Sequence, residues 1–165
     1  MTFRFKILSI LAGSFDADRF WRIRRKLTFH TKSITRYYYH VIYQRQLNKF
    51  NAFIPLTAVF DSPPVLPHGI SGIHISGNAH IGQNCVIFHQ VTIGSTKNGA
   101  PRIGDDCFIG CGATIIGNVK IGNNVRIGAN CTVVTDIPDD STVVMNTARI
   151  ITHNNKHSNI DMSNQ

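Results

Sequence analysis

Histidines carry most of the potential chemistry in this sequence. Of the eight present, four lie close together at His68, His74, His80 and His89, and the others fall nearer the two ends of the chain. An imidazole can exchange a proton near neutral pH, and its neutral form can bind a metal ion. The four histidines are therefore candidates for acid–base catalysis or for a metal site, and the elements that carry them decide between the two.

The elements around these histidines repeat with a period of six residues. Isoleucine or valine returns at every sixth position in two runs, which are separated by one ten-residue step. This period fits neither an α-helix nor an alternating β-strand, and it is typical of a parallel β-helix. The aliphatic residues are Ile75, Ile81, Ile87 and Ile93 in the first run, then Ile103, Ile109, Ile115, Ile121, Ile127 and Val133.

The repeat predicts a mainly β solenoid of triangular cross-section, in which three hexapeptides make one coil and each flat face is a short strand. Glycine and Asn/Asp pairs such as Asp105-Asp106 and Asn123-Asn124 are expected at the corners, because they tolerate unusual backbone angles. A solenoid buries its core only by stacking, and about four and a half coils fit between residues 66 and 150.

The predicted coil spreads the histidines over different faces. Residues six apart lie on successive faces, whereas stacking in one column takes about eighteen residues. His68, His74 and His80 therefore cannot converge on one ion as a tetrahedral zinc site requires, so no metal is expected. We expect His74 and His80 to face outward or to lie at a subunit contact.

One interruption of the repeat marks a candidate site. Four extra residues lie between Ile93 and Ile103, so residues 94–102 must loop out of the solenoid. Extra residues on a rigid scaffold are a common way of building a site, and Lys97 and Arg102 place positive charge there. We expect this loop to act together with the histidines just before it; surface decoration is the alternative.

The chain is expected to divide into a basic amphipathic helical segment (1–60), the β-helix (61–151) and a flexible polar tail (152–165). Residues 1–50 hold eleven of the seventeen Lys and Arg residues and only two aspartates. This segment is interpreted as helices packed on the coil with their charges outward, or as a surface resting on anionic lipid. Nucleic-acid binding is not favoured, because no recognition motif accompanies the basic residues.

Composition favours a cytoplasmic protein. The sequence has no run of 18 apolar residues, so no spanning helix is expected, and its short apolar N-terminal stretch is a poor secretory signal. The cysteines do not form a disulfide framework, and three of them occupy inward positions as small hydrophobic residues. These three are Cys85, Cys107 and Cys131. A peripheral position at the inner face of the membrane is the alternative location.

Several stretches resemble the hexapeptide-repeat acyltransferases, whose fold is a left-handed parallel β-helix. They are the repeat itself and residues 66–73, 90–94, 136–138 and 148–150, and the likeness covers roughly residues 60–151. Within this superfamily the chain is similar to the serine acetyltransferase-like branch, particularly to the small O-acetyltransferases of bacterial surface-polysaccharide clusters. The resemblance implies a homotrimer that transfers an acetyl group from acetyl-CoA, as co-substrate, to a hydroxyl.

The resemblance also implies roles for particular residues. His68 lies in the block that holds the catalytic histidine of that branch, so it would be the general base. His89, where relatives often have Gln, is the second choice. Asp61 is a candidate to orient the imidazole, since it is the only acidic residue between 19 and 104; a backbone carbonyl is the alternative. Backbone N–H groups at Gly94-Ser95 would stabilise the oxyanion.

Coenzyme contacts are implied in the loop, at two corners of the coil and in the C-terminal motif. Small side chains would let the pantetheine arm approach the backbone, and basic side chains would bind phosphate. The residues concerned are Gly94, Ser95, Lys97, Cys111, Ala129, Val134, Thr135 and Arg149.

Two departures from the branch weaken the case for serine as the acceptor. Serine acetyltransferases have Asp before the catalytic histidine and a second histidine in the loop; these positions are here Pro67 and approximately Ala100. A sugar hydroxyl of a polysaccharide or lipid-linked precursor is therefore the expected acceptor. The alternatives are a serine O-acetyltransferase of cysteine biosynthesis and, outside enzymes, an inactive β-helix that serves as a structural or sugar-binding module.

Overall fold

Two helices precede a parallel β-helix in the computed structural model, which describes residues 15–29 and 34–145. Helix α1 is Ala17–Phe29 and helix α2 is Ile34–Lys49. The strands are β1 (Val59–Phe60), β2 (His74–Ile75), β3 (His80–Ile81), β4 (Val86–Ile87), β5 (Thr92–Gly94), β6 (Arg102–Ile103), β7 (Phe108–Ile109), β8 (Thr114–Ile116), β9 (Lys120–Ile121), β10 (Arg126–Ile127), β11 (Thr132–Val133) and β12 (Thr142–Val143).

The strands form three parallel sheets of four strands each, one for each face of the triangular coil. Face A holds β2, β5, β8 and β11; face B holds β1, β3, β6 and β9; face C holds β4, β7, β10 and β12. Each strand pairs with the strand one coil further on, so that Ile75 lies opposite Ile93 and Ile93 opposite Ile115. The predicted mainly β, left-handed parallel β-helix with a short helical segment is confirmed.

The core consists of the inward residues of the repeat, stacked in register. Ile87, Ile93 and Ile109 are fully buried, and the other aliphatic residues of the two runs are at most 4% exposed. The three cysteines at inward positions are also buried and free, as predicted. A hydrogen bond to Cys107 and burial raise the pKa of the Cys85 thiol, so it stays protonated and serves as a small hydrophobic residue.

The corners use Asn and Asp in the left-handed region of backbone space. Asn84, Asp106, Asn124 and Asp140 occupy one column with φ between 53° and 56°, a conformation that these side chains tolerate better than most. Their side chains also bond along the column, where Asn124 Nδ2 donates to Asp140 Oδ1 at 2.7 Å. The corner positions predicted from the sequence are therefore the positions observed.

Helices α1 and α2 pack on the first coil. The ring of Phe20 stacks on that of Tyr43 with 5.0 Å between centroids, and the Tyr43 hydroxyl donates to the carbonyl of Ile54 at 2.6 Å. Arg24 of α1 is only 6% exposed, and its Nη2 donates to the Ala58 carbonyl at 2.5 Å. These contacts fix the helices to the start of the solenoid.

Helix α2 carries apolar residues at the spacing of one helix face, but a different face packs on the coil. Tyr43 and Leu47 are buried, whereas the apolar stripe is largely exposed to solvent. That exposed stripe consists of Ile34, Tyr37, Tyr38 and Val41. The buried face is the one that reaches Phe20 and Ile54, so contact with the coil, rather than side-chain hydrophobicity alone, sets the orientation of the helix.

The boundary between the helical segment and the coil lies earlier than residue 61. Phe53 already bridges to His74, and β1 pairs with β3 on face B. The tail 152–165 and the last predicted coil residues, 146–151, lie outside the described residues. No helix within residues 15–29 and 34–145 has the length and apolar character needed to cross a membrane.

Candidate active site

Two of the three edges of the coil carry most of the residues expected to take part in catalysis or coenzyme binding. The edge between faces C and A, here called the histidine edge, comprises residues 66–73, 88–91, 110–113 and 128–131. The edge between faces A and B, here called the loop edge, comprises residues 76–79, 95–101, 117–119 and 134–136.

His68 and His89 meet on the histidine edge. Their Nδ1 atoms are 2.8 Å apart, and their ring centroids are 4.8 Å apart. The register of the coil brings them together, because Val65 bridges to Val86 and each histidine follows its valine by three residues. The two residues proposed as rival bases are thus one hydrogen-bonded pair.

The sequence contains a pattern that indicates this pair, although the number of residues between the two histidines does not. The two histidines are 21 residues apart rather than 18, because the first corner on this edge holds extra residues between Val65 and β2. The repeated pattern Val-x-x-His at 65–68 and 86–89 marks the shared register. Aligning these two segments to each other would have predicted the contact.

Backbone hydrogen bonds fix the corners that carry the two histidines. Gly69, with φ of 69°, donates its N–H to the Leu66 carbonyl at 3.0 Å. In the next coil, the Gly112 N–H donates to the His89 carbonyl at 3.1 Å. Phe15 lies against Gly69, where an added Cβ would come within 3.0 Å of it. The imidazoles therefore project from a rigid backbone.

An aromatic wall lies beside the pair on face C. The ring of Phe88 meets that of His68 edge to face at 5.3 Å, and Phe108 follows at 5.1 Å from Phe88. His68 is exposed and His89 is half-buried. The pair can thus be reached from solvent, with one side shielded by aromatic carbon.

Asp61 does not orient His68, contrary to expectation. Its Oδ1 lies 2.8 Å from Nε2 of His80, because Asp61 follows strand β1 on face B, the face on which His80 also lies. The partner of His68 is His89. His74, the remaining histidine of the group, places Nδ1 3.0 Å from the Gly72 carbonyl.

The residues expected to contact coenzyme fall on both edges. Cys111 and Ala129 continue the column above His89, since the Asn130 N–H donates to the Cys111 carbonyl at 2.8 Å. The others in the described part of the chain lie on or next to the loop edge: Gly94, Ser95, Lys97, Val134 and Thr135. Arg149 lies outside the described residues.

The inserted loop is ordered but does not lie beside the histidines within one chain. Thr96 and Gly99 close it with reciprocal backbone hydrogen bonds of 2.9 and 3.2 Å, while Ser95 and Lys97 are exposed. Face A separates the loop from His89, because strand β5 lies between them and its three residues alone extend about 10 Å. The expected proximity of loop and histidines, including the Gly94-Ser95 oxyanion donors, is therefore absent within a single chain.

Metal-binding clusters are also absent from residues 15–29 and 34–145: no group of three or more His, Cys, Asp or Glu side chains is placed to hold an ion.

Comparison with known proteins identifies the family to which this repeat belongs. The family described as Bacterial transferase hexapeptide (six repeats) matches residues 100–135. A crystal structure of Neisseria gonorrhoeae serine acetyltransferase in complex with serine superposes with a TM-score of 0.65 at 32% identity, over 81% of this chain and 55% of that one. The chain belongs to the hexapeptide-repeat acyltransferase superfamily.

Other members of the superfamily give a consistent result. Soybean serine acetyltransferase superposes with a TM-score of 0.66 at 32% identity, over 80% of this chain and 56% of that one. A probable serine acetyltransferase of Oryza sativa is 46% identical over 115 residues, which is 67% of this chain and 34% of the relative. The serine acetyltransferase of Bacillus pumilus is 38% identical over 104 residues, 61% of this chain and 48% of the relative.

The chain thus spans between a third and a half of the length of these two sequence relatives.

The expected sugar or polysaccharide acceptor is wrong. The relatives and solved structures named above are serine acetyltransferases. The expectation gave weight to Pro67 and Ala100, which replace an acid and a second histidine. The structure supplies a different partner for His68, at His89, so the missing acid does not argue against serine.

Proposed function

We propose that this protein is a serine O-acetyltransferase that moves the acetyl group of acetyl-CoA to the side-chain hydroxyl of L-serine. The observation that carries the proposal is the 2.8 Å contact between His68 and His89 on an accessible edge of the coil. It occurs in a chain that is similar to serine acetyltransferases over 67% of its sequence in one relative and 81% of its length in one solved structure. Sequence similarity supports serine as the acceptor, and the histidine pair supports acid–base catalysis.

His68 acts as the general base in this proposal. One ring nitrogen is engaged with His89, so its Nε2 remains to accept the hydroxyl proton as the serine oxygen attacks the thioester carbonyl. The attack forms a carbon–oxygen bond, and collapse of the tetrahedral intermediate breaks the carbon–sulfur bond. Exposure of His68 allows the acceptor to approach from solvent.

The histidine edge above His89 fits the pantetheine arm of acetyl-CoA. Cys111, Gly112 and Ala129 are small residues there, and all three are at least partly exposed. Small residues leave backbone N–H and C=O groups within reach of the amides of the arm. The thioester end of the arm would then point toward the histidines.

A homotrimer would bring the two edges together. Within one chain, face A separates the histidine edge from Lys97 and Thr135. A groove between the histidine edge of one subunit and the loop edge of its neighbour would hold both sets, with Lys97 available for a coenzyme phosphate.

Light scattering of the purified protein tests this arrangement. We expect a species of about three times the 18.4 kDa chain mass. The reason is that a site shared between subunits needs a closed symmetric ring. A monomeric protein that binds acetyl-CoA and catalyses the reaction would contradict a groove shared between subunits.

Release of free thiol from acetyl-CoA tests the proposed reaction. Thiol should appear when L-serine is added and not with L-alanine, which is its matched control because it lacks only the hydroxyl. The variant H68Q should lower the serine-dependent kcat by about 10³-fold, the range expected for removal of a general base. A wild type that binds acetyl-CoA but releases no thiol in response to serine would contradict the proposed function.

A further inference from the structure

We propose that His89 is a second catalytic residue and that the two histidines form a proton relay from the acceptor hydroxyl to the departing thiolate. This inference rests on the proposed function, which assigns His68 as the base. It gives His89 a role of its own, as the acid that completes the transfer.

The relay follows from the geometry of the contact. Because Nδ1 of His68 and Nδ1 of His89 are 2.8 Å apart, they must share one proton when both rings are neutral. The ring that donates has a free lone pair on Nε2, and the ring that accepts carries its proton on Nε2. The contact therefore forces opposite tautomers, so the pair presents one base and one N–H donor.

The order of residues along the edge assigns the two roles. His89 lies between His68 and the column of Cys111 and Ala129, as shown by the bond from the Gly112 N–H to the His89 carbonyl. His89 is therefore on the side of the proposed thioester, and His68 is on the open side. His68 then donates Nδ1–H to His89 and keeps Nε2 free, while His89 holds its proton on Nε2.

Each proton is accounted for in the transfer. The serine hydroxyl gives its proton to Nε2 of His68 as the new carbon–oxygen bond forms. The Nδ1 proton of His68 passes to Nδ1 of His89, and the Nε2 proton of His89 goes to sulfur as the carbon–sulfur bond breaks. The pair ends neutral in the opposite tautomers and is reset by exchange with water at the exposed His68 ring.

A carboxylate in the place of His89 could not protonate the sulfur, because an ionised acid accepts a proton but has none to give. Asp61 holds His80 on face B in a contact of the same 2.8 Å length. That second pair lies away from the histidine edge and provides a matched control.

Nitrogen-15 NMR of the resting protein tests the shared proton without reference to activity. At a pH where both rings are neutral, His68 should be protonated on Nδ1 and His89 on Nε2. Finding both histidines protonated on Nε2, or the two assignments reversed, would overturn the relay.

The kinetics of the H89Q variant then distinguish a proton relay through His89 from a role of His89 in positioning His68. The glutamine carbonyl can still accept from His68 Nδ1–H, but glutamine cannot pass a proton on, so kcat should fall about 10²-fold with little change in KM. The proton inventory in mixed H₂O and D₂O should be curved for the wild type and linear for H89Q. The control H80Q should keep the wild-type kcat, and circular dichroism should show that both variants are folded.

These outcomes distinguish the two proposals. An active wild type whose H89Q variant keeps full kcat would overturn the relay and leave serine acetylation standing. A wild type without serine-dependent turnover would overturn the proposed function, and the relay with it.

Discussion

Two buried polar residues, Arg24 and Tyr43, hold the helices on the first coil. Burial lowers the pKa of Arg24, and burial also raises the pKa of Tyr43 to about 12, against a smaller opposing effect of the Arg24 charge. Each side chain donates to a carbonyl of the chain leading into the coil, and the Arg24 guanidinium lies 4.9 Å from the centre of the Phe60 ring. The attachment of the helices therefore depends on polar groups that cannot be solvated.

Tyr43 makes a testable contribution to alkaline stability. Its pKa is about 12 when folded and 10.0 in the unfolded reference, so its contribution is complete below pH 10 and is lost as the pH rises toward 12. The loss should be about 2 to 3 kcal/mol. Urea unfolding at pH 9 and pH 12 measures it, and Y43F should lose less stability over this interval than the wild type. The exposed-site control Y37F should follow the wild type; equal losses in Y43F and the wild type would contradict the assignment.

At the residue scale, the sequence predicts which residues lie in the candidate site better than it predicts which of them contact each other. The sequence indicates both His68 and His89, but as rival bases, because a period of eighteen residues does not align them. It does not indicate that Asp61 contacts His80, since the face of Asp61 depends on β1, a two-residue strand without a clear repeat. Pairing depends on extra residues at corners, and only coordinates or a comparison of the two Val-x-x-His segments supply that count.

At the scale of elements, the close stacking of successive corners determines how large a side chain each corner position can hold. Gly104 follows β6 on face B, where an added Cβ would lie 2.5 Å from Asn123 Oδ1 and 2.8 Å from backbone atoms of Gly122. Gly94 ends β5 on face A, where the nearest atom would be Ile116 Cγ1 at 3.5 Å. The hexapeptide frame was predictable because side-chain burial imposes it, whereas these corner distances are set by the neighbouring coil.

Alanine at these two glycines should therefore have different effects. G104A should lower the free energy of unfolding by about 1 to 3 kcal/mol, the usual cost of overpacking a rigid site. G94A adds a methyl group at ordinary contact distance and should cost much less. Urea unfolding of both variants at one pH measures the difference, and equal losses would show that the corners yield more readily than their spacing indicates.

At the scale of the whole molecule, the residues proposed to form the site lie on two edges of one solenoid. The loop on one edge and the histidines on the other explain why a single chain holds only part of the groove proposed for acetyl-CoA. The helices add a basic surface beside the exposed stripe of α2, where Lys26 Nζ donates to the Tyr39 hydroxyl at 2.9 Å. Contact of this surface with an anionic membrane, and the cytoplasmic location, stay predictions.

The most direct test of the central claim is to identify the product formed from isotopically labelled acetyl-CoA and L-serine. Mass spectrometry should find labelled O-acetylserine in amounts equal to the free coenzyme A released by the wild type. H68Q should form about 10³-fold less in the same time. Release of coenzyme A without labelled O-acetylserine, or equal product from H68Q, would contradict a serine acetyltransferase that uses His68 as its base.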